Sequence, residues 1–214
     1  MRLKTFAPTV AVSVFCMALI SAHGQSAPAP SPTLTAEERE FALKQFETTR
    51  DNFLKSISGL SQKQWTFKPA PDRWSVAEVA EHITVAETTI MGLIQKQVMQ
   101  SPAAPEKREQ VKGKDQLILQ RMPDRSHKAQ APEMLKPIGR WATEADLTEA
   151  FEDARKANMD YIRTTNDDLR DHFFDHPVFG TLDGYQWLLL LSGHSARHTA
   201  QIEEVKADPN FPKE

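Results

Sequence analysis

Apolar and polar positions alternate along this chain with a helical period in four stretches, separated by segments rich in proline and glycine. Ala42, Phe46, Thr49, Phe53, Ile57 and Leu60 follow one another at spacings of three or four residues, which puts them on one face of a 3.6-residue repeat. Thr35-Ala36-Glu37-Glu38 precedes them in the form of a capping box, so a first helix is predicted from residue 35 to about residue 59. Ser75, with Glu78 three residues on, opens a second helix whose inward face is Val76, Val79, Ile83, Ala86, Ile90 and Leu93/Ile94. Ser101-Pro102-Ala103-Ala104-Pro105 stops it. Thr143-Glu144-Ala145-Asp146 opens a third, with Leu147, Phe151, Ala154, Asn158, Tyr161 and Thr165 as its stripe. The fourth covers residues 184–207, capped by Asp183 and closed by Asp208-Pro209. Phe46, Phe53, Ile83, Ile90, Phe151, Tyr161, Trp187 and Leu191 are the large side chains expected in the core.

The connections are less regular. Residues 65–74 read as a proline-containing link, and residues 172–183 as a loop around Pro177 and Gly180. Pro102, Pro105, Pro123, Pro132 and Pro137 exclude a long helix between residues 101 and 142, leaving room for a short one over 115–122. A link of this length carries function or crosses the end of a bundle. No run alternates with period two for long enough to suggest a sheet. The expected fold is all-α: a four-helix bundle at residues 35–209, with a long crossover between the second and third helices. Residues 25–34, a Pro/Ser/Ala segment, are expected to be a flexible linker.

The first twenty-four residues stand apart. Arg2 and Lys4 precede an apolar stretch over residues 6–20, and Ala22-His23-Gly24 supplies small residues after it. That order is the signature of a secretory signal peptide, and the stretch is shorter than the ~20 residues that span a bilayer comfortably. The mature chain is therefore expected outside the cytoplasm, periplasmic or extracellular, with no stable membrane anchor. Cys16, the single cysteine, would leave with the signal, taking disulfide, thiolate-ligand and cysteine-nucleophile chemistry with it. Cleavage removes two basic and no acidic residues. The 26 basic and 29 acidic groups become 24 and 29, and the formal charge moves from −3 to −5. An acidic domain with dispersed basic residues argues against nucleic-acid binding.

The sharpest chemical signal is in the fourth helix. Trp187, Leu191, His194, His198, Ile202 and Val205 share one stripe, so two imidazoles lie one turn apart inside an apolar face. Histidines at i and i+4 can converge on one metal ion. His82 lies within or beside the buried face of the second helix. One histidine on an apolar face is ordinarily a core residue with a hydrogen-bond partner; three of them on two helices raise the cost of satisfying each separately. His82, His194 and His198 are accordingly the candidate ligands of a divalent metal, with zinc, nickel and iron all compatible with imidazole. Ser195 follows His194, which excludes the His-Glu-x-x-His arrangement of metalloproteases. Glu78, one turn before His82, is read either as a fourth ligand or outer carboxylate or as the partner of the Ser75 cap. Gln201 shares the face of His198 and is a candidate outer-shell hydrogen-bond partner. Glu81 and Glu87 read as surface, Arg197 as a surface ion-pair residue, His172 and His176 as turn residues, and His127 as exposed.

Trp74-Ser75-Val76-Ala77-Glu78-Val79-Ala80-Glu81-His82-Ile83 resembles the second-helix motif of the DinB-like superfamily. His194-Ser195-Ala196-Arg197-His198-Thr199-Ala200-Gln201-Ile202 resembles its last-helix motif. His176-Pro177-Val178-Phe179-Gly180 and Tyr185-Gln186-Trp187 resemble that family's run into the fourth helix. The resemblance covers residues 38–207 and implies a four-helix bundle, often a homodimer, with a divalent metal on three histidines, which match His82, His194 and His198. It also implies a small-molecule substrate for those relatives that are enzymes of transfer or isomerisation. Three nitrogen ligands leave an ion with an open position, as in catalytic zinc sites. The sequence reading is thus an exported metal-binding domain, with a metal-dependent transferase, isomerase or hydrolase, a non-enzymatic metal- or ligand-binding module, and a structural bundle with buried histidines as the readings to be separated.

Overall fold

Three of the four main helices begin with a complete capping box, and the sequence announces two of them. In the computed structural model, which describes residues 33–126 and 130–213, the Glu38 amide donates to Thr35 Oγ1 (3.1 Å) and the Thr35 amide to Glu38 Oε2 (2.9 Å). Ser75 and Glu78 reciprocate in the same way. The resulting helices are α1 (Ala36–Ile57) and α3 (Val76–Lys96), with the five-residue α2 (Gln62–Thr66) between them. Thr143 accepts from the Asp146 amide and starts α6 (Glu144–Thr164); Asp183 starts α7 (Gly184–Lys206). The expectations for residues 1–32 and for His127 lie outside the described residues. Among the described residues no helix is long and apolar enough to cross a membrane.

The four long helices make a bundle in which α7 packs on α3 and α1, and α6 packs on the same two. Helices consecutive in the bundle, α1 with α3 and α6 with α7, therefore stand diagonally opposite rather than side by side. In a simple up-and-down bundle short loops join neighbours. Here the long crossover joins the neighbours α3 and α6, and shorter connections span the diagonals.

The core has two apolar layers with a polar layer between. One holds Phe46, Ala86, Ile90, Met159 and Leu191, the other Phe53, Ile83, Phe151 and Ile202. Between them, Thr49 of α1, Glu87 of α3, Arg155 and Asn158 of α6 and Ser195 of α7 form one hydrogen-bonded group. Arg155 lies in it with no exposed surface, giving Nη2 to Glu87 Oε1 at 2.5 Å and Nη1 to Thr49 Oγ1 and the Phe46 carbonyl at 2.8 Å each.

Several expectations need correction. Glu87, read as surface, is fully buried because Arg155 and Asn158 meet it. Glu81, also read as surface, is buried under the crossover. The inward stripe of α6 turns through Arg155, Met159 and Ile162, so Ala154 and Tyr161 are only half-buried; the Tyr161 hydroxyl reaches outward to Asp167. Leu34, assigned to the linker, is 6% exposed and joins the core. The 172–183 loop contains a two-stranded antiparallel hairpin, β1 (Phe173–His176) and β2 (Gly180–Asp183), too short to register as a period-two run. The other seven expected core residues are buried.

The crossover contributes α4 (Arg108–Val111) and α5 (Lys114–Arg121), the latter close to the expected 115–122. α5 lies against α7, which explains why α7 is buried on every side from Gly184 to Ser195 rather than along one stripe. A Cβ at Gly184 would sit 2.9 Å from the Leu169 carbonyl oxygen, so glycine is required where the last helix leaves the hairpin.

Candidate metal centre

Two adjacent helices hold the candidate ligands. His82 projects from the seventh residue of α3, and His194 and His198 project one turn apart from α7. Because α3 and α7 pack side by side, the three rings meet: His82 Nε2 lies 3.1 Å from both His194 Nε2 and His198 Nε2. One ligand atom from each residue falls within 4.8 Å of the others, a grouping that could hold a metal ion. His82 and His194 are buried; His198 is half-buried and marks the open side. Trp74 closes the other side of His82, with ring centroids 5.0 Å apart.

Two of the three outer nitrogens are committed. His82 Nδ1 lies 2.8 Å from the Leu135 carbonyl of the crossover, an acceptor only, so the proton is on Nδ1 and Nε2 carries a lone pair. His198 Nδ1 lies 2.8 Å from Gln201 Oε1. Arg125 donates Nη1 to that same oxygen at 3.2 Å while forking onto Glu204, which fixes the amide orientation and again directs a lone pair inward. His194 Nδ1 is buried and has no hydrogen-bond partner among the described residues, so nothing on its outer edge fixes the tautomer of this ring.

The cluster is held uncharged. Burial lowers the pKa of His82 from its ordinary value, and the Leu135 hydrogen bond opposes this only in part. His198 falls to about 3, through burial first and the neighbouring His82 second. His194 drops well below the usual range through burial, with repulsion from His198, His82, Arg197 and His176 added. Neutral imidazoles are the form that ligates metals.

Glu78 is not brought to the cluster. Its carboxylate is taken up by the Ser75 amide at 2.7 Å and by Lys68 at 3.0 Å, so of its two readings the cap is the one realised. Gln201 does reach the cluster. Arg197 donates to the Met122 and Asp124 carbonyls at the edge of the crossover. His172 bonds the Ser101 carbonyl and Asp168, away from the cluster. His176 ends β1, its Nδ1 accepting the Val178 and Phe179 amides and its ring against Trp187. Sequence reasoning missed Arg125 and the Leu135 carbonyl. Both depend on where the crossover lies, and a main-chain carbonyl leaves no mark in a residue string.

Comparison with known proteins agrees with this architecture. The chain is 24% identical over 161 residues to the uncharacterized protein YuaE of Bacillus subtilis (strain 168), covering 75% of this chain and 94% of that protein. Among solved structures it resembles YfiT from Bacillus subtilis, described as a probable metal-dependent hydrolase with an unusual four-helix bundle topology. The TM-score is 0.54 at 14% identity, over 89% of this chain and 97% of that one; this likeness is one of fold. A family model for the DinB superfamily matches residues 45–202, a span that contains all three clustered histidines and all four bundle helices in whole or in large part. The chain belongs to the DinB superfamily.

Proposed function

We propose that His82, His194 and His198 hold one divalent metal ion through their Nε2 atoms, and that this centre serves a metal-dependent hydrolase acting on a small molecule. The observation that carries the reading is the pair of lone pairs. With Nδ1–H of His82 and of His198 committed outward, their Nε2 atoms stand 3.1 Å apart with no proton to share. A proton on His194 could satisfy His82 but would leave the His82–His198 contact repulsive; a cation relieves both. Nitrogen ligands at 2.0–2.1 Å from a tetrahedral ion stand about 3.3 Å apart, close to the observed separations. The donor set is three neutral imidazoles without a carboxylate, a set that suits zinc, nickel or ferrous iron.

When bound, such an ion supplies Lewis acidity and lowers the pKa of water. The protein's own part is to aim and to shield. Leu135 and Gln201 orient two ligands, Trp74 excludes solvent beside His82, and the half-exposed His198 leaves one side for substrate. The hydrolase reading also takes support from the description of YfiT. We further propose export: the charged start and apolar stretch of the sequence lead us to expect a mature N-terminus near Gln25, which mass spectrometry of protein from its native host checks. A chain beginning at Met1 would contradict it.

Elemental analysis of untagged mature protein tests the centre. About one equivalent of a divalent metal is expected, lost in His82→Ala, His194→Ala and His198→Ala and kept in His172→Ala. Azide should perturb the spectrum of a cobalt-substituted form. Full metal content in all three variants would overturn the site, and a cobalt spectrum blind to added ligands would overturn the enzyme.

A further inference from the structure

The last part of the crossover has one turn of 3-10 helix, Glu133–Leu135, and is otherwise irregular. It is nonetheless fastened to α3 at two consecutive residues. Glu81 is 5% exposed. Its Oε1 accepts the Ile138 amide at 2.8 Å and Arg140 Nη1 at 2.6 Å, and its Oε2 accepts the Gly139 amide at 2.8 Å. His82, the next residue, gives Nδ1–H to the Leu135 carbonyl of the same segment. We propose that Glu81 is a positioning residue for the histidine cluster: it clamps residues 135–140 and, through the Leu135 carbonyl, sets the tautomer and ring angle of His82.

The clamp is built for a carboxylate. Gly139 has φ +77°, a left-handed conformation that lets two successive amides point into one concave site for an anion. Arg140 closes that site and ties it back to the segment by donating to the Lys136 carbonyl at 3.0 Å. Consecutive helical residues point about 100° apart, so Glu81 meets the crossover while His82 turns into the bundle with only its Nδ1 edge toward the strap. The strap residues Met134 and Ile138, 66% and 76% exposed, add little buried apolar surface. Leu135 is inserted in one apolar layer at 8% exposure, and the half-buried Trp141 packs against the other. The strap therefore stays docked without Glu81 while the angle of the Leu135 carbonyl is freed. In Glu81→Gln an NH2 group replaces one acceptor oxygen and faces an N–H donor.

The consequence for metal affinity rests on the proposed centre; the tautomer of His82 does not. Nitrogen NMR of the histidine rings in the metal-free full chain should show a single Nδ1–H form of His82, giving way to mixed tautomers in Glu81→Gln. His198 keeps its own form through Gln201. Zinc affinity, measured against a competing chelator, should fall roughly 10–100-fold, the usual cost of removing an outer-shell support. Gly139→Ala attacks the clamp from the other side, since a Cβ there meets no atom within 4 Å and acts only through the backbone; it should move both readouts the same way. Asp171→Asn, which breaks the ion pair with Arg108 elsewhere on the crossover, should move neither. An unchanged His82 tautomer and wild-type zinc affinity in both clamp variants would overturn the proposal while leaving the metal centre intact. A shifted tautomer in a chain that binds no zinc would uphold the clamp and overturn the centre.

Discussion

Arg155 shows what a single residue does in this bundle. Its guanidinium meets Glu87, Thr49, Ser195 and the Phe46 carbonyl with no surface exposed, so one side chain joins all four helices. Burying an ion pair stabilises little by itself, but leaving half of it behind costs about 3–5 kcal/mol. Glu87→Ala should therefore lower the free energy of unfolding by that amount, read as a fall in the denaturation midpoint at unchanged slope. Replacing Glu87 and Arg155 together by Leu and Met should cost far less than the sum of the single changes, which a double-mutant cycle from denaturant titrations measures. Additive losses would mean that the two charges do not act as a pair. The layer was illegible in the sequence because a Glu and an Arg 68 residues apart look like two surface charges until the helices that carry them are side by side.

At the scale of the element, α7 is the piece on which the rest is assembled. Its first half is enclosed by α1, α3, α5 and the hairpin, so truncations there should behave as core truncations. Leu191→Ala is expected to cost roughly 2–5 kcal/mol, and a loss within ordinary surface scatter would place the wrong face inside. Gly184→Ala should cost about 1–3 kcal/mol by overpacking, because the new Cβ meets the Leu169 main chain, which cannot swing aside as a side chain would; the shift in melting temperature reports it. Helix starts were the most legible features, since a capping box is a local contact between residues three apart. The face of α6 was the least legible: its stripe bends through Arg155, and a charged residue within an apolar period reads as an interruption.

Across the whole molecule, the three uncharged histidines give the metal-free protein a pH dependence. Their folded-state pKa values lie below the ordinary 6.5, so the unfolded chain takes up protons first as pH falls. Stability is then full above about pH 6.5 and declines below it, by up to about 1.4 kcal/mol per pH unit for each histidine, until the folded-state pKa is reached, about 3 for His198. Urea titrations of the chelator-treated chain between pH 7 and 5 should show this decline, and the His198→Asn variant should show a shallower one. Equal slopes would mean that His198 is accessible to protons in the folded state. A bound cation should steepen the dependence, because protonation also competes with ligation.

The sequence by itself determined the four long helices, the inward stripes of α1 and α3, the caps at Thr35, Ser75, Thr143 and Asp183, the pairing of His194 with His198 and the candidacy of His82. Each of these rests on periodicity or on contacts a few residues long, which a linear string records. Only the tertiary structure decided that consecutive helices face each other diagonally, that the crossover lies over α3 and α7, and that Glu81, Glu87 and Arg155 are inside. It also decided which nitrogen of His82 and of His198 faces the cluster. Those outcomes depend on partners tens of residues away and, for Leu135, on a carbonyl common to every residue. A charged side chain is buried or exposed according to the counter-charge that packing brings to it, and no local pattern carries that information.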